Sequence, residues 1–398
     1  MVFGLPTWLL IIPILTSLVL VHELGHFVTA KRFGIKVTEF GFGFPPRIFG
    51  IRYGETIYSI NWLPLGGFVR MEGEEDPTEP RSFARQAPWK RAIVLVAGSF
   101  MNLVVPVVIF TVMFILPHEV VEGQVMITGV TPGSPAQDAG LRRGDIVYEI
   151  QGERVANTLD LVQEITLRLG QETEMSVGRS GVVPGLSRTP DLRTVDRIIV
   201  VPRLNPPSRT IVEVVRDHLT EISLGEAITL NPNAELGDKF RQGAVGVYIK
   251  TVNPHVVRES FPIWEAVPMS VGKLKDVLIR TKKGLSQWIV SGGSPGIAGP
   301  IGIAQITGEV AKVGVSPIFE LTALLSISLG VLNVLPIPAL DGGRLLFVGI
   351  EWVRRGKRIS EKRENLVHLA GFIVLMGLIA VMSYFDVVRI LNGDSFLK

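Results

Sequence analysis

Four stretches of this chain stay apolar for about the 20 residues that a helix needs to cross the hydrocarbon core of a bilayer. They are Trp8 to Ala30, Ala92 to Leu116, a third from about Pro317 to Val353, and Leu366 to Tyr384. Between the first two, the apolar positions fall into a shorter period. Phe40-Gly-Phe-Gly-Phe44 and Thr56-Ile-Tyr-Ser-Ile-Asn61 alternate as strands do, while Leu63-Pro-Leu-Gly-Gly-Phe-Val-Arg-Met71 breaks the alternation with one proline and two glycines. This pattern predicts hairpins dipping toward the membrane; an ordinary meander beside it has the same periodicity. From Gln124 the pattern is that of a soluble α+β domain of about 130 residues. It predicts a strand Val125 to Val130, a turn-rich run to Gly152, a helix through Leu159, Leu161, Val162, Ile165 and Leu169, strands Glu174 to Arg179 and Arg197 to Pro202, and a closing strand within Gly243 to Ile249. Ser180 to Asp196 and Asn205 to Gln242 read as insertions, the second containing a helix. Phe261 to Ile289 is helical in period but carries five Lys or Arg, which is too charged to span. A basic amphipathic helix of this kind suits either the membrane surface or the flank of the soluble domain. Gly292 to Gly302, rich in Gly and Pro, breaks regular structure. The expected division is 1–121 and 317–398 as membrane core, 122–253 as soluble domain, and 254–316 as amphipathic helix and linker.

Polar residues interrupt this pattern at two places where they are costly. From Trp8 to Ala30 the only ionisable side chains are His22, Glu23 and His26, and each such group at membrane depth costs about 2.5–3.5 kcal/mol on insertion scales. On a helix His22 and His26 stand one turn apart on one face, so both imidazoles reach one ion, and Glu23 beside them handles a proton. That is the pattern of a zinc hydrolase. The third stretch is broken by Asn333-Val-Leu-Pro-Ile-Pro-Ala-Leu-Asp341-Gly-Gly-Arg344, and broken backbone at membrane depth is tolerated only where it lines a cavity or site. Asp341 lies at the depth of the histidines and is the natural third ligand. His368 is the weaker candidate, and His118, His218 and His255 fall on the other side. Gly98, Ser99 and Asn102 form a small, polar stripe that lets the second span pack closely on the first.

Composition agrees with this reading and adds an orientation. The 398 residues are 47% hydrophobic with a mean hydropathy of +0.37, as expected of a multi-pass membrane protein with a soluble part. A net charge of only +3 gives no reason to expect a nucleic-acid partner. The absence of cysteine excludes disulfides and limits any zinc ligands to His, Asp or Glu. Basic residues concentrate in the first linker, from Lys31 to Arg91, and again from Arg354 to Arg363. Cytoplasmic loops carry such excesses. Both linkers are cytosolic in one topology, with both termini and the soluble domain outside. His26 then lies roughly 7 Å and His22 roughly 13 Å from Lys31 along the helix axis, so the site is submerged but nearer the cytosol. No Lys or Arg precedes Lys31, so the first span is expected to remain in the protein.

Taken together, His22-Glu23-Leu-Gly-His26, Pro64-Leu-Gly-Gly-Phe-Val-Arg-Met71, Ala97-Gly-Ser-Phe-Met-Asn102 and Asn333 to Leu345 resemble the site-2 protease class of intramembrane zinc metalloproteases, in particular its bacterial RseP-like branch. Val125 to Ile150 resembles a PDZ domain, and only one is evident where some relatives carry two. Ser99 stands where family members often have Pro. The resemblance implies a polytopic α-helical membrane protein in the bacterial cytoplasmic membrane with an extracytoplasmic PDZ-like α+β domain. It implies Zn2+ on His22, His26 and Asp341, Glu23 as catalytic base, Asn102 and Asn333 as polar neighbours of substrate or metal, and Gly66 and Gly67 in a membrane-embedded β-loop. It further implies endoproteolysis of membrane-spanning substrates, such as anti-sigma factors or remnant signal peptides, and a peptide or C-terminus ligand for the PDZ-like domain. A catalytically silent scaffold would not need the intact His22, Glu23, His26 and Asp341. A zinc transporter would string its ligands along a path, whereas these cluster at one depth.

Overall fold

The computed structural model describes residues 6–74, 78–179, 195–217, 220–230, 234–291 and 298–392. Most of the Ser180 to Asp196 insertion, the greater part of the Gly292 to Gly302 break, and His218 lie outside them. The chain divides into two compact units: one of residues 1–116, 261–275 and 296–398, the other of 117–260 and 276–295. The boundaries expected at 121/122 and 253/254 fall within paired strands of the second unit.

The first unit begins with a 3-10 turn, Thr7–Leu10, that runs into α1 (Ile11–Arg32). Strands β1 (Val37–Tyr53) and β2 (Thr56–Met71) follow, then α2 (Pro88–Ile115), which has Pro88 in its first turn, where no N–H is needed. Both strands bend, so that Glu39 to Phe42 has partners on two edges, Arg70 to Gly67 and Ile57 to Ile60. The Leu63 to Met71 stretch, expected to break the pattern, is strand throughout. The pairing passes from Leu63–Phe44 to Gly67–Phe42 and leaves out 64–66, so the Pro and Gly sit in an irregularity of the ladder. Glu39 is buried in this sheet, accepting from Ser59 Oγ and Arg47 Nη2, each at 2.7 Å. Around it Phe44, Ile48, Phe49, Ile51, Tyr53, Ile60, Trp62 and Leu63 are all exposed.

The second unit is built on a sheet of six strands. β3 (His118–Val130) and β11 (Val247–Glu259) form a long antiparallel ribbon at one side; β4 (Ile146–Ile150), β6 (Thr173–Gly178) and β7 (Asp196–Val200) follow in order, and β5 (Glu153–Arg154) pairs with β4. Helices α3 (Pro135–Asp138) and α4 (Thr158–Leu167) are capped by Ser134 and Asn157, whose side chains accept from Gln137 N and Asp160 N. Val125, Ile127, Val147, Ile150, Leu161, Met175 and Val177 are among the side chains of one core. The insertion after Asn205 is a second small sheet of β8 (Ser208–Val212), β9 (Glu221–Ser223) and β10 (Lys239–Arg241) with α5 (Leu224–Leu230), built around Ile211, Ile222 and Ala227.

Helix α6 (Ile263–Ser291) gives its first half to the first unit and its second half to the second. In the second half Lys283 donates to Leu167 O, and burial together with Arg168 nearby holds its ammonium below the ordinary lysine pKa. That half therefore packs within the second unit, on α4, which agrees with one of the two settings its sequence allows. In the first half Ser270 is fully buried against α2, receiving a hydrogen bond from Thr111 Oγ1 at 3.0 Å.

The remaining helices are α7 (Pro300–Val313), α8 (Val315–Val334), α9 (Asp341–Val353) and α10 (Glu361–Leu391). Among the described residues, four helices are long and apolar enough to cross a membrane: Thr7–Arg32, Pro88–Ile115, Val315–Val334 and Glu361–Leu391. The third span therefore ends at Val334 rather than continuing to Val353, because Pro336 and Pro338 cannot supply the N–H groups that a continuous helix needs. Close approach holds the spans together. A Cβ on Gly25 of α1 would lie 2.3 Å from Ala97 O of α2, and one on Gly330 of α8 would lie 3.1 Å from Ser99 O.

Candidate metal centre

The apolar helix α1 carries His22 and His26 on the face it buries against α2, and both are 6% exposed. Asp341, the first residue of α9, is brought to them by the turn after α8. His22 Nε2 lies 2.9 Å from Asp341 Oδ2, His26 Nε2 3.2 Å from the same oxygen, and the two Nε2 atoms are 3.1 Å apart. A tetrahedral ion with N and O donors at about 2.0–2.1 Å has ligand atoms about 3.3 Å apart along each edge, so these three atoms fit one face of its coordination shell. Zinc held by these three residues would keep a further position for water or substrate. Two nitrogens and one carboxylate oxygen, with no thiolate, are a donor set that zinc accepts.

Both rings are oriented from behind. His26 Nδ1 donates to Val94 O at 2.7 Å, which fixes the tautomer and leaves the Nε2 lone pair for a metal. His22 Nδ1 faces the amide of Asn102, with Nδ2 at 3.3 Å, and Asn102 Oδ1 is buried without a partner. Turning that amide about its axis puts the orphaned oxygen on His22 Nδ1–H, which satisfies it and directs His22 Nε2 to the ion as well. Asn102 thus stands beside the His22 ring and also on the cavity wall.

Glu23 reaches β2 beside the histidines, where its Oε2 accepts from Val69 N at 3.1 Å. Gly67 approaches the same side chain; a Cβ there would stand 3.8 Å from Glu23 Cγ. Gly66, at φ +89°, lies one turn further along α1, 3.2 Å from Val19 Cγ1 by the same measure. His22, Glu23, Asn102, Asn333 and Asp341 line one cavity of about 200 Å³, with Val19, Leu329, Ala339 and Leu340 completing its wall. Gly66 and Gly67 lie outside that lining, against α1. His368 is not part of the cluster: its Nδ1 accepts from Ala339 N at 2.9 Å.

Some of the site's residues give weak or no sequence signals. Gly98 was legible only as one of a small-residue stripe, yet a Cβ on it would lie 2.5 Å from His26 Nε2 and 2.7 Å from His22 Nε2. Val94 and Val69 contribute backbone groups, which no side-chain pattern advertises.

Comparison with known proteins places this chain in a family. A model described as peptidase family M50 matches residues 10–378. The zinc metalloprotease RasP of Geobacillus kaustophilus is 29% identical over 93% of this chain and 95% of its own length. RasP of Oceanobacillus iheyensis is 27% identical over 94% and 96%. A Clostridium perfringens chain, provisionally named a zinc metalloprotease, is 32% identical over 94% of this chain and 96% of its own. The match begins within the first spanning helix, ends within the last, and includes both histidines, Glu23 and Asp341: the chain belongs to peptidase family M50, the site-2 protease metallopeptidases.

Proposed function

We propose that this protein is a zinc-dependent endopeptidase that cleaves transmembrane segments inside the bilayer, with His22, His26 and Asp341 as zinc ligands and Glu23 as general base. The observation that carries the reading is the close triangle of His22 Nε2, His26 Nε2 and Asp341 Oδ2, its two histidines on a helix whose one other ionisable residue between Trp8 and Ala30 is Glu23. When bound there, zinc supplies Lewis acidity toward water and a peptide carbonyl. Glu23 takes the water proton at its carboxylate, held toward the site by the Val69 N–H. Val94 O and Asn102 keep the two imidazoles in register. Asn333, on the cavity wall, offers an amide to the substrate backbone.

A substrate helix conceals its carbonyls in its own hydrogen bonds and must unwind to be cut. The stretch 64–66, left out of the β1–β2 pairing one turn of α1 from Glu23, offers backbone at Leu65 and Gly66 that can replace those bonds by strand addition. The exposed apolar side chains around Trp62 suit lipid, which agrees with a membrane-embedded loop carrying Gly66 and Gly67. The substrates we assign are membrane-spanning proteins, such as anti-sigma factors, or remnant signal peptides in the bacterial cytoplasmic membrane. The active site lies toward the cytosolic side and both termini outside. The second unit is assigned as a PDZ-like domain for a peptide or C-terminus.

Glu23→Gln tests the chemistry. The variant should keep a zinc content equal to wild type by metal analysis yet lose cleavage of a reporter transmembrane helix by a hundredfold or more, the scale of a lost general base. Substantial turnover by that variant would remove Glu23 from its role.

A further inference from the structure

We propose that the last spanning helix is a clamp on the metal-ligand turn: His368 of α10, with Gly371 one turn on, fixes the backbone that presents Asp341, so that His368 is a positioning residue for zinc. The inference rests on the reading of Asp341 as a zinc ligand. Between α8 and α9 the chain passes through Leu335 to Leu340. Within this turn Ala339 has φ +80°, a left-handed conformation that a residue with a Cβ resists and that needs support from its surroundings. Leu340, the residue before α9, makes no side-chain cap, and the turn's own backbone bonds, Ile337 N to Leu335 O and Leu340 N to Ile337 O, leave the Ala339 N–H to a partner outside the turn. The support comes from α10. Ala339 N–H donates to His368 Nδ1 at 2.9 Å, and the ring of His368 lies 5.5 Å from that of Phe347 on α9. A Cβ on Gly371 would stand 2.3 Å from Pro338 Cβ and 2.8 Å from Pro338 O, so the helix lies directly on the turn.

Ala339 also lines the cavity that contains His22, Glu23 and Asp341, and is two residues from the ligand. Losing the bond to His368 lets Ala339 relax out of the left-handed region, and Asp341 Oδ2 then leaves the histidine pair. His368 makes no contact with the ion in this arrangement. Its effect passes through the backbone, and any side chain with an acceptor at the Nδ1 position should serve. The side-chain oxygen of Asn comes closest to that position.

The test uses the full-length protein in detergent and measures how readily a competing chelator removes zinc, with thermal stability measured in parallel. We expect His368→Ala and His368→Leu to give up zinc at about tenfold lower chelator concentration than wild type, and His368→Asn to return to within about twofold. In the Co2+-substituted protein His368→Ala should also change the visible absorption bands, which report ligand geometry. Gly371→Ala, which keeps His368 but pushes on Pro338, should lose zinc more easily too, and it reads the same clamp if His368→Ala does not fold. Asp341→Ala is the control for the underlying assignment. If it retains zinc as wild type does, that assignment falls. If Asp341→Ala loses zinc while His368→Ala and Gly371→Ala hold it normally, the clamp is wrong. Failure of His368→Asn to restore what a folded His368→Ala loses would equally overturn it.

Discussion

At the scale of single residues the centre depends on what is missing as much as on what is present. Gly98 has no side chain because the two Nε2 atoms occupy the space one would take. Gly98→Ala should therefore act on the metal: the expected result is depressed zinc content with helical circular dichroism unchanged. Gly25→Ala makes a useful contrast, since its methyl would meet the backbone at Ala97 O, which cannot rotate aside. There α1 and α2 must part, and a lower melting temperature is expected along with the loss of zinc. The same scale explains what could be read from the sequence. His22, Glu23 and His26 were legible because three ionisable groups in an apolar helix have no cheap structural purpose, and Asp341 because prolines and glycines broke a span around it. The partners that orient them were not: Val94 O, Val69 N–H and Ala339 N–H are backbone groups, and only the folded chain decides which of many lies near.

At the scale of elements, α9 is secured at both ends. Its start carries Asp341, and near its end Glu351 accepts from Arg91 Nη2 of α2 at 2.5 Å, both side chains being buried, while Arg358 Nε approaches Glu351 at 3.3 Å. Removing one member of a buried pair strands the other charge, at a cost of about 3–5 kcal/mol, whereas replacing both by apolar residues is often neutral. Glu351→Ala should destabilise the protein by that order in denaturant or thermal unfolding, and Arg91→Leu with Glu351→Leu should recover most of the loss. Little recovery would mean that the pair has a specific role in seating α9. Elements were read from sequence where one period governed a long stretch, as in the four spans, α4 and α6. At Leu63 to Met71, where Pro64 and the glycines signalled a break within the hairpins, the break is in the pairing at 64–66 and not in the strand. The strand continues because the irregularity needs no N–H from Pro64 and lets Gly66 take φ +89°, and because Pro64 O finds a donor in Thr16 Oγ1 at 2.7 Å.

At the scale of the whole molecule, orientation rests on the two basic linkers, and the chain is well suited to a direct check because it contains no cysteine. A single cysteine replacing exposed Glu153 in the second unit should react with a membrane-impermeant maleimide on intact cells or spheroplasts. One replacing exposed Lys357, between α9 and α10, should react only after permeabilisation; the opposite pattern would invert the topology. The length of chain between the ligands has a further consequence, in time rather than space. His22 and Asp341 are 319 positions apart, and at about 5–20 residues per second a ribosome needs roughly 15 to 60 seconds to travel between them. On the proposed ligand set, both histidines lack their carboxylate through that interval, while the helices still to be inserted are apolar spans of the kind the proposed activity cuts. The clamp on α10 arrives later still. On that reading the metal site closes only with the last helices, and a chain truncated before Asp341 is expected to leave its own spans uncut, which a comparison of truncated and full-length chains on a gel checks.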